Sequence, residues 1–188
     1  MATFKLLESD NAVLKVKLED CNSELNRQEL KDNLIETMQH YEGIGLSANQ
    51  VGIMERAFVM YNHVETKQII AIFNPKIISE GIEKVLIDEG CLSYPGLWVK
   101  VERSETIEVE YEDEKGEKIQ RELYGLQSRI FQHEYDHMEG SNFTEKVGKV
   151  KLDLALKKQK KMNDLTEKLR KKTEENLAKN KEYQQLIS

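Results

Sequence analysis

The chain has 188 residues, 39% hydrophobic and 33% charged, with a net charge of −6 and a mean hydropathy of −0.63. That length suits one domain with a core able to fold without staples, no apolar run approaches the roughly 20 residues of a membrane span, and two cysteines, Cys21 and Cys91, exclude a disulfide framework. The charge is split: residues 145–188 carry 13 Lys and Arg against 7 Asp and Glu, so a +6 tail follows a −12 body, and that body argues against general nucleic-acid binding.

In chain order, Leu34, Ile35 and Met38 fall at helical spacing within residues 31–41, ahead of Gly43, which predicts a helix. Gly43-Ile-Gly-Leu-Ser-Ala-Asn-Gln50 reads as a loop whose glycines let backbone approach a ligand, with Gln50 as a side-chain donor there. It lacks the Lys-Ser/Thr ending of a phosphate loop and the third glycine of a dinucleotide fingerprint. Residues 57–61 and 69–73 read as two strands. Asp88-Glu-Gly-Cys-Leu-Ser93 does not read as a buried strand. Residues 106–111 alternate with period two and can pair with 118–123 across the turn Asp113-Glu-Lys-Gly116.

Residues 123–139 predict a helix with Leu126, Ile130, His133 and His137 along one face, stopped at Gly140. From 147 to 187 there is no proline and no glycine after Gly148, and Leu152, Leu156, Met162, Leu165 and Leu169 recur near the helical period. This predicts a long, weakly amphipathic helix whose stripe thins after Leu169. Short strands with segregated helices predict an α+β fold rather than a doubly wound α/β one. The expected organisation is a catalytic part, residues 1–146, and a basic, mostly helical extension, 147–188.

His133-Glu134-Tyr135-Asp136-His137 carries the strongest chemical signal. Positions i and i+4 share a helix face, so both imidazoles can hold one ion, and Glu134 is placed to address a bound water. A catalytic site needs three protein ligands and an open position, and Cys91 is the natural third donor. Cys21 has no such context. Asp136 has two readings, orienting a ligand histidine or pairing with an arginine.

Together, Gly43-Ile-Gly-Leu-Ser-Ala-Asn-Gln50, Glu89-Gly-Cys-Leu-Ser93 and Gln132-His-Glu-Tyr-Asp-His137 resemble, in order and spacing, the three motifs of peptide deformylases. The similarity runs from about 34 to 143. Ser47 stands where that family usually has alanine, the segment before Lys31 matches loosely, and the basic tail is longer than in a typical member.

The resemblance implies removal of the formyl group from the N-terminal formyl-methionine of new polypeptides. It implies a central His-Glu-x-x-His helix among antiparallel sheets. Cys91, His133 and His137 are the implied ligands of one divalent metal ion, Fe(II) in the cell, with zinc, nickel or cobalt as substitutes. Glu134 is the implied proton carrier, and the Gln50 side chain and Leu92 backbone N–H the oxyanion donors. Ile44, Ile87, Leu126, Ile130 and the His133 ring are the positions implied for the methionine slot, with Gly45, Gly90 and Arg103 also placed along the substrate groove.

Expected partners are N-formyl-methionyl peptides, the ribosome through the basic C-terminal helix, and no membrane. With no basic-then-apolar leader in residues 1–10, the expected location is the cytoplasm of a bacterium or of a phage-infected bacterial cell. Two other readings compete. Zinc metallopeptidases share His-Glu-x-x-His but take a downstream Glu or His as third ligand, for which Glu145 and the tail glutamates are weak candidates. A metal-dead binding module would more readily have lost a ligand or the base, and this chain has all of them.

Overall fold

A computed structural model describes residues 3–63 and 65–186, with side chains of the final helix described to residue 177. Among the described residues seven strands follow one helix, β1 (Gly45–Ser47), β2 (Ala57–His63), β3 (Gln68–Glu80), β4 (Lys84–Cys91), β5 (Tyr94–Ser104), β6 (Thr106–Glu112) and β7 (Lys118–Tyr124). The helices are α1 (Arg27–His40) before the strands, then α2 (Gly125–Met138) and α3 (Lys149–Leu186) after them. The five-stranded antiparallel sheet has the order β1-β2-β3-β6-β7, and β4-β5 form a separate hairpin. The fold is α+β, as the element pattern predicts.

Strand β2 shows how the sheet is covered on both faces. Alternate residues of a strand point to opposite sides. Phe58 and Met60 pack with Ile130, Phe131 and Met138 of α2. Ala57 and Val59 pack with Leu30, Leu34 and Met38 of α1. The sheet is therefore a shared wall between two helices, and α2 reaches the molecule's centre because one side of it is apolar. A third cluster joins Leu97, Val99 and Val101 of β5 to Phe143, and Leu152 and Ala155 of α3 pack against it.

The β6–β7 hairpin follows the sequence reading closely. Glu112 pairs with Lys118, and Gly116 takes φ 82°, the left-handed turn conformation that favours glycine. The Asp113 carboxylate accepts from the backbone N–H of Lys115 and Glu117 and closes the turn. Gly140, at φ 71°, follows the end of α2 where the sequence puts the stop.

Several boundaries differ. Helix α1 starts at Arg27, capped by the Asn26 side chain on Glu29 N–H, earlier than the periodic stripe alone suggests. Leu123 belongs to β7, where it is buried in the sheet core, and α2 begins only at Gly125. Cys91 closes strand β4, most of which is not buried.

Candidate metal centre and cleft

The centre is built on α2. Its packing against β5 is locked by Gln132, whose side chain accepts from Ser104 N–H and donates to Ser104 O, while the Ser128 hydroxyl donates to the same carbonyl. His133, the next residue, and His137, one turn on, emerge on one face, their ring centroids 5.4 Å apart. Cys91 comes to them from the end of β4, with its Sγ 3.4 Å from His137 Nε2. One donor atom from each of Cys91, His133 and His137 lies within 4.8 Å of the others. A single ion with bonds of about 2.0–2.3 Å needs donors gathered on this scale. One thiolate and two imidazoles suit a soft or borderline divalent cation, so the donor set fits the implied ion.

His133 is oriented by a residue the sequence reading did not single out. Its Nδ1 meets Glu89 Oε2 at 3.0 Å, which leaves Nε2 as the ring nitrogen available to an ion. Glu89 is itself held by Arg103, through Nε at 2.6 Å and Nη2 at 2.9 Å, and by Arg129 Nη1 at 2.6 Å. Burial opposes the Glu89 charge, but its bonds to His133 and Arg103 outweigh that, and the carboxyl is held down at about 2. A signal for Glu89 was present. Glu89 lies two residues before Cys91 in the same short motif, although the β4–β5 register shifts between the two, so strand alternation alone does not aim it.

Asp136 takes the second of its two readings. It pairs with Arg103 at 2.8 Å and Lys146 at 2.9 Å, not with a ligand histidine. Arg103 is the correction to the expected groove. Its guanidinium is buried, 4% exposed, between Glu89 and Asp136, and it does not line the cleft. A buried cation is stable there because two carboxylates pair it. The arginine that does line the cleft is Arg129.

In front of the centre is a cleft of about 740 Å³. Ile44, Ile87, Leu126 and Ile130 line it, with Gly45, Gly90 and the His133 ring. Gln50, Leu92 and Glu134 also reach its surface. His137 lies behind, 1% exposed. Gln50 donates from Nε2 to Cys91 Sγ at 3.3 Å and Ser93 Oγ at 3.2 Å, while its Oε1 accepts from Ser47 N–H at 2.9 Å. Glu134 is 4% exposed, and burial pushes its carboxyl up from the ordinary 4.5. Gly45 passes so close to Glu134 that a Cβ there would collide with Oε1 and lie 2.9 Å from Ile130 Cγ2. Gly90 likewise lies against the Trp98 ring.

The sequence pattern of the family described as polypeptide deformylase matches residues 3–153. The chain belongs to this family. It is a metal-dependent hydrolase that removes N-formyl groups, with Cys91, His133 and His137 as its metal-binding cluster. Peptide deformylase of Thermotoga maritima is 41% identical over 133 residues, covering 71% of this chain and 79% of that protein. Peptide deformylase of Thermodesulfovibrio yellowstonii is 39% identical over 163 residues, covering 84% of this chain and 97% of its own. Among solved structures, a peptide deformylase from Legionella pneumophila aligns with a TM-score of 0.79 at 31% identity, covering 88% of this chain and 98% of that one. The metallopeptidase rival fails on the ligand set. Glu145 bonds to the Asn142 side chain, and among the described residues the third donor beside the histidines is Cys91.

Proposed function

We propose that this deformylase acts on N-formyl-methionyl polypeptides, with Glu134 as proton carrier and Gln50 and the Leu92 N–H as oxyanion donors. The observation that carries the reading is the convergence of Glu134 and Gln50 on one cleft wall beside the Cys91–His133–His137 cluster. A divalent ion bound there would supply Lewis acidity toward the formyl oxygen and make water a stronger acid near neutral pH.

The chain's own groups supply the rest. Glu134 takes a proton from the attacking water and returns it to the leaving amine nitrogen, ending the cycle as it began. The Gln50 amide, oriented through its Oε1 by Ser47 N–H, presents Nε2 as a donor at the edge of the cluster. Ile44, Ile87, Leu126 and Ile130 offer an apolar slot for a methionine side chain beside the His133 ring. Gly45 and Gly90 let the cleft wall pack against Glu134, Ile130 and Trp98 where a side chain would be crowded.

We take Fe(II) as the cellular ion, with zinc, nickel or cobalt as substitutes, because the donor set accepts all four. A division between a catalytic part, 1–146, and a basic extension, 147–188, goes with this reading: ligands and cleft lie in the first part, and the tail carries the basic excess. That tail, outward from about residue 164, is proposed to meet ribosomal RNA through lysines such as Lys168, Lys171 and Lys172. No helix among the described residues is long and apolar enough to cross a membrane. A cytoplasmic setting, in a bacterium or a phage-infected bacterial cell, accompanies the ribosomal reading.

The decisive assay compares formyl-Met-Ala-Ser with peptides offering only internal bonds. Release of formate with internal bonds intact is the expected result. Internal cleavage with the formyl peptide untouched overturns it. Metal analysis of anaerobically purified protein reads the ion, and ribosome pelleting with and without residues 167–188 at two salt concentrations reads the tail.

A further inference from the structure

Ser47 and Glu134 are 87 residues apart in the chain, and both are buried. The Ser47 hydroxyl donates to Glu134 Oε2 at 2.5 Å. Among the described residues no other side chain donates a hydrogen bond to that carboxylate. The two oxygens of Glu134 therefore have different surroundings. Oε1 lies over Gly45, which lines the cleft; Oε2 is tied to Ser47, which is fully buried and does not.

We infer that Ser47 is a positioning residue for Glu134: its hydroxyl pins Oε2 at the back of the carboxylate and leaves Oε1, over Gly45, as the oxygen that exchanges the proton. The inference rests on the reading of Glu134 as proton carrier. A terminal carboxylate torsion is broad, so without a partner the plane of the carboxylate turns over a wide range. A short charge-assisted bond to one of its oxygens removes that freedom. The hydroxyl also bonds, more weakly, to the Glu134 carbonyl at 3.4 Å, so the same side chain touches both the carboxylate and its own stretch of helix. The Ser47 N–H meanwhile holds Gln50 Oε1. One residue thus fixes both side chains proposed to act on the formyl group. An alanine would keep the N–H contact and lose the hydroxyl, which separates the two roles.

The test uses the full-length, metal-loaded enzyme and formyl-Met-Ala-Ser, with wild type, Ser47→Ala, Glu134→Gln and the double variant. Ser47→Ala is expected to lower kcat about tenfold while KM and bound metal stay at wild-type levels. On the Glu134→Gln background the same change is expected to alter residual turnover by less than about twofold, because the group it positions is no longer a proton carrier. Urea midpoints of the four proteins give a readout independent of turnover, and a non-additive cycle is expected there. Wild-type kcat in Ser47→Ala, an equal loss on both backgrounds, a loss confined to KM or metal content, or additive urea midpoints overturns the inference. An inactive wild type overturns the proposed function with it, whereas an active wild type and a neutral Ser47→Ala overturn the role of Ser47 alone.

Discussion

Glu89 Oε2 holds His133 Nδ1 at 3.0 Å while the rest of its carboxylate is gripped by Arg103 and Arg129. The ligand histidine is thus anchored to a buried ion network rather than to the helix alone. Replacing Glu89 with alanine leaves two buried guanidinium groups without that partner, so the variant is expected to lose about 3 kcal/mol of stability. The loosened ring is expected to weaken metal binding roughly 10- to 100-fold. Urea unfolding and competition with a chelator measure the two effects separately.

Gly45→Ala tests the close approach of β1 to α2. The added methyl meets Glu134 Oε1 and Ile130, and neither can retreat without disturbing the cleft. Turnover is expected to fall by about 100-fold or more, through misplacement of Glu134, with far-ultraviolet circular dichroism unchanged. Wild-type turnover would show that the wall of the cleft yields.

The two thiols are expected to behave differently. Burial pushes the Cys21 thiol up to about 12, so it stays protonated at neutral pH, and the thiolate is the reactive form. Cys91 lines the cleft. In native, metal-stripped protein at pH 8, a thiol reagent is expected to modify Cys91 first and Cys21 only on unfolding. Mass spectrometry of the labelled peptides reads the order.

Acid sensitivity is expected around Glu139. Burial works against its charge, but hydrogen bonds from Lys17 and Arg56 hold its carboxyl below the ordinary 4.5. A carboxyl depressed on folding contributes its stability above the unfolded value and loses it as pH falls through the folded one. The stability gap between wild type and Glu139→Gln is therefore expected to be constant above about pH 6 and to close below 4.5. Urea midpoints at a series of pH values measure it.

The point of truncation of α3 matters. Leu152 and Ala155 pack on the Leu97–Phe143 cluster, and Gln159 Nε2 donates to Pro95 O at 2.7 Å, beside the cleft. A chain ending at residue 148 is expected to lose about 2 kcal/mol, the scale of one partly buried leucine with its neighbours. A chain ending at 166 keeps these contacts and is expected to retain wild-type stability. Urea unfolding of both separates a structural role of the first turns from a binding role of the rest.

Much of this protein was legible residue by residue. The spacing of His133 and His137 puts two imidazoles on one face of any helix, and Asp113-Glu-Lys-Gly116 closes a hairpin whatever surrounds it, because both depend on backbone geometry over a few residues. Strand β4 escaped the reading because Val85 and Ile87 line the cleft and Leu86 is half exposed, so its apolar residues do not alternate as a core strand's would. Arg103 was misplaced for a related reason. Whether an arginine lies along a groove or beneath it depends on which carboxylates come to meet it, and Glu89 and Asp136 reach it from two different elements. By itself the sequence determined the ligand types, the place of Glu134 beside them and the fold class. Only the tertiary structure decided that Glu89 orients His133, that Ser47 ties down Glu134 and that Arg103 is buried. Such contacts join residues far apart in the chain, and they form only where packing excludes water and leaves each charge no partner but the buried groups brought to it.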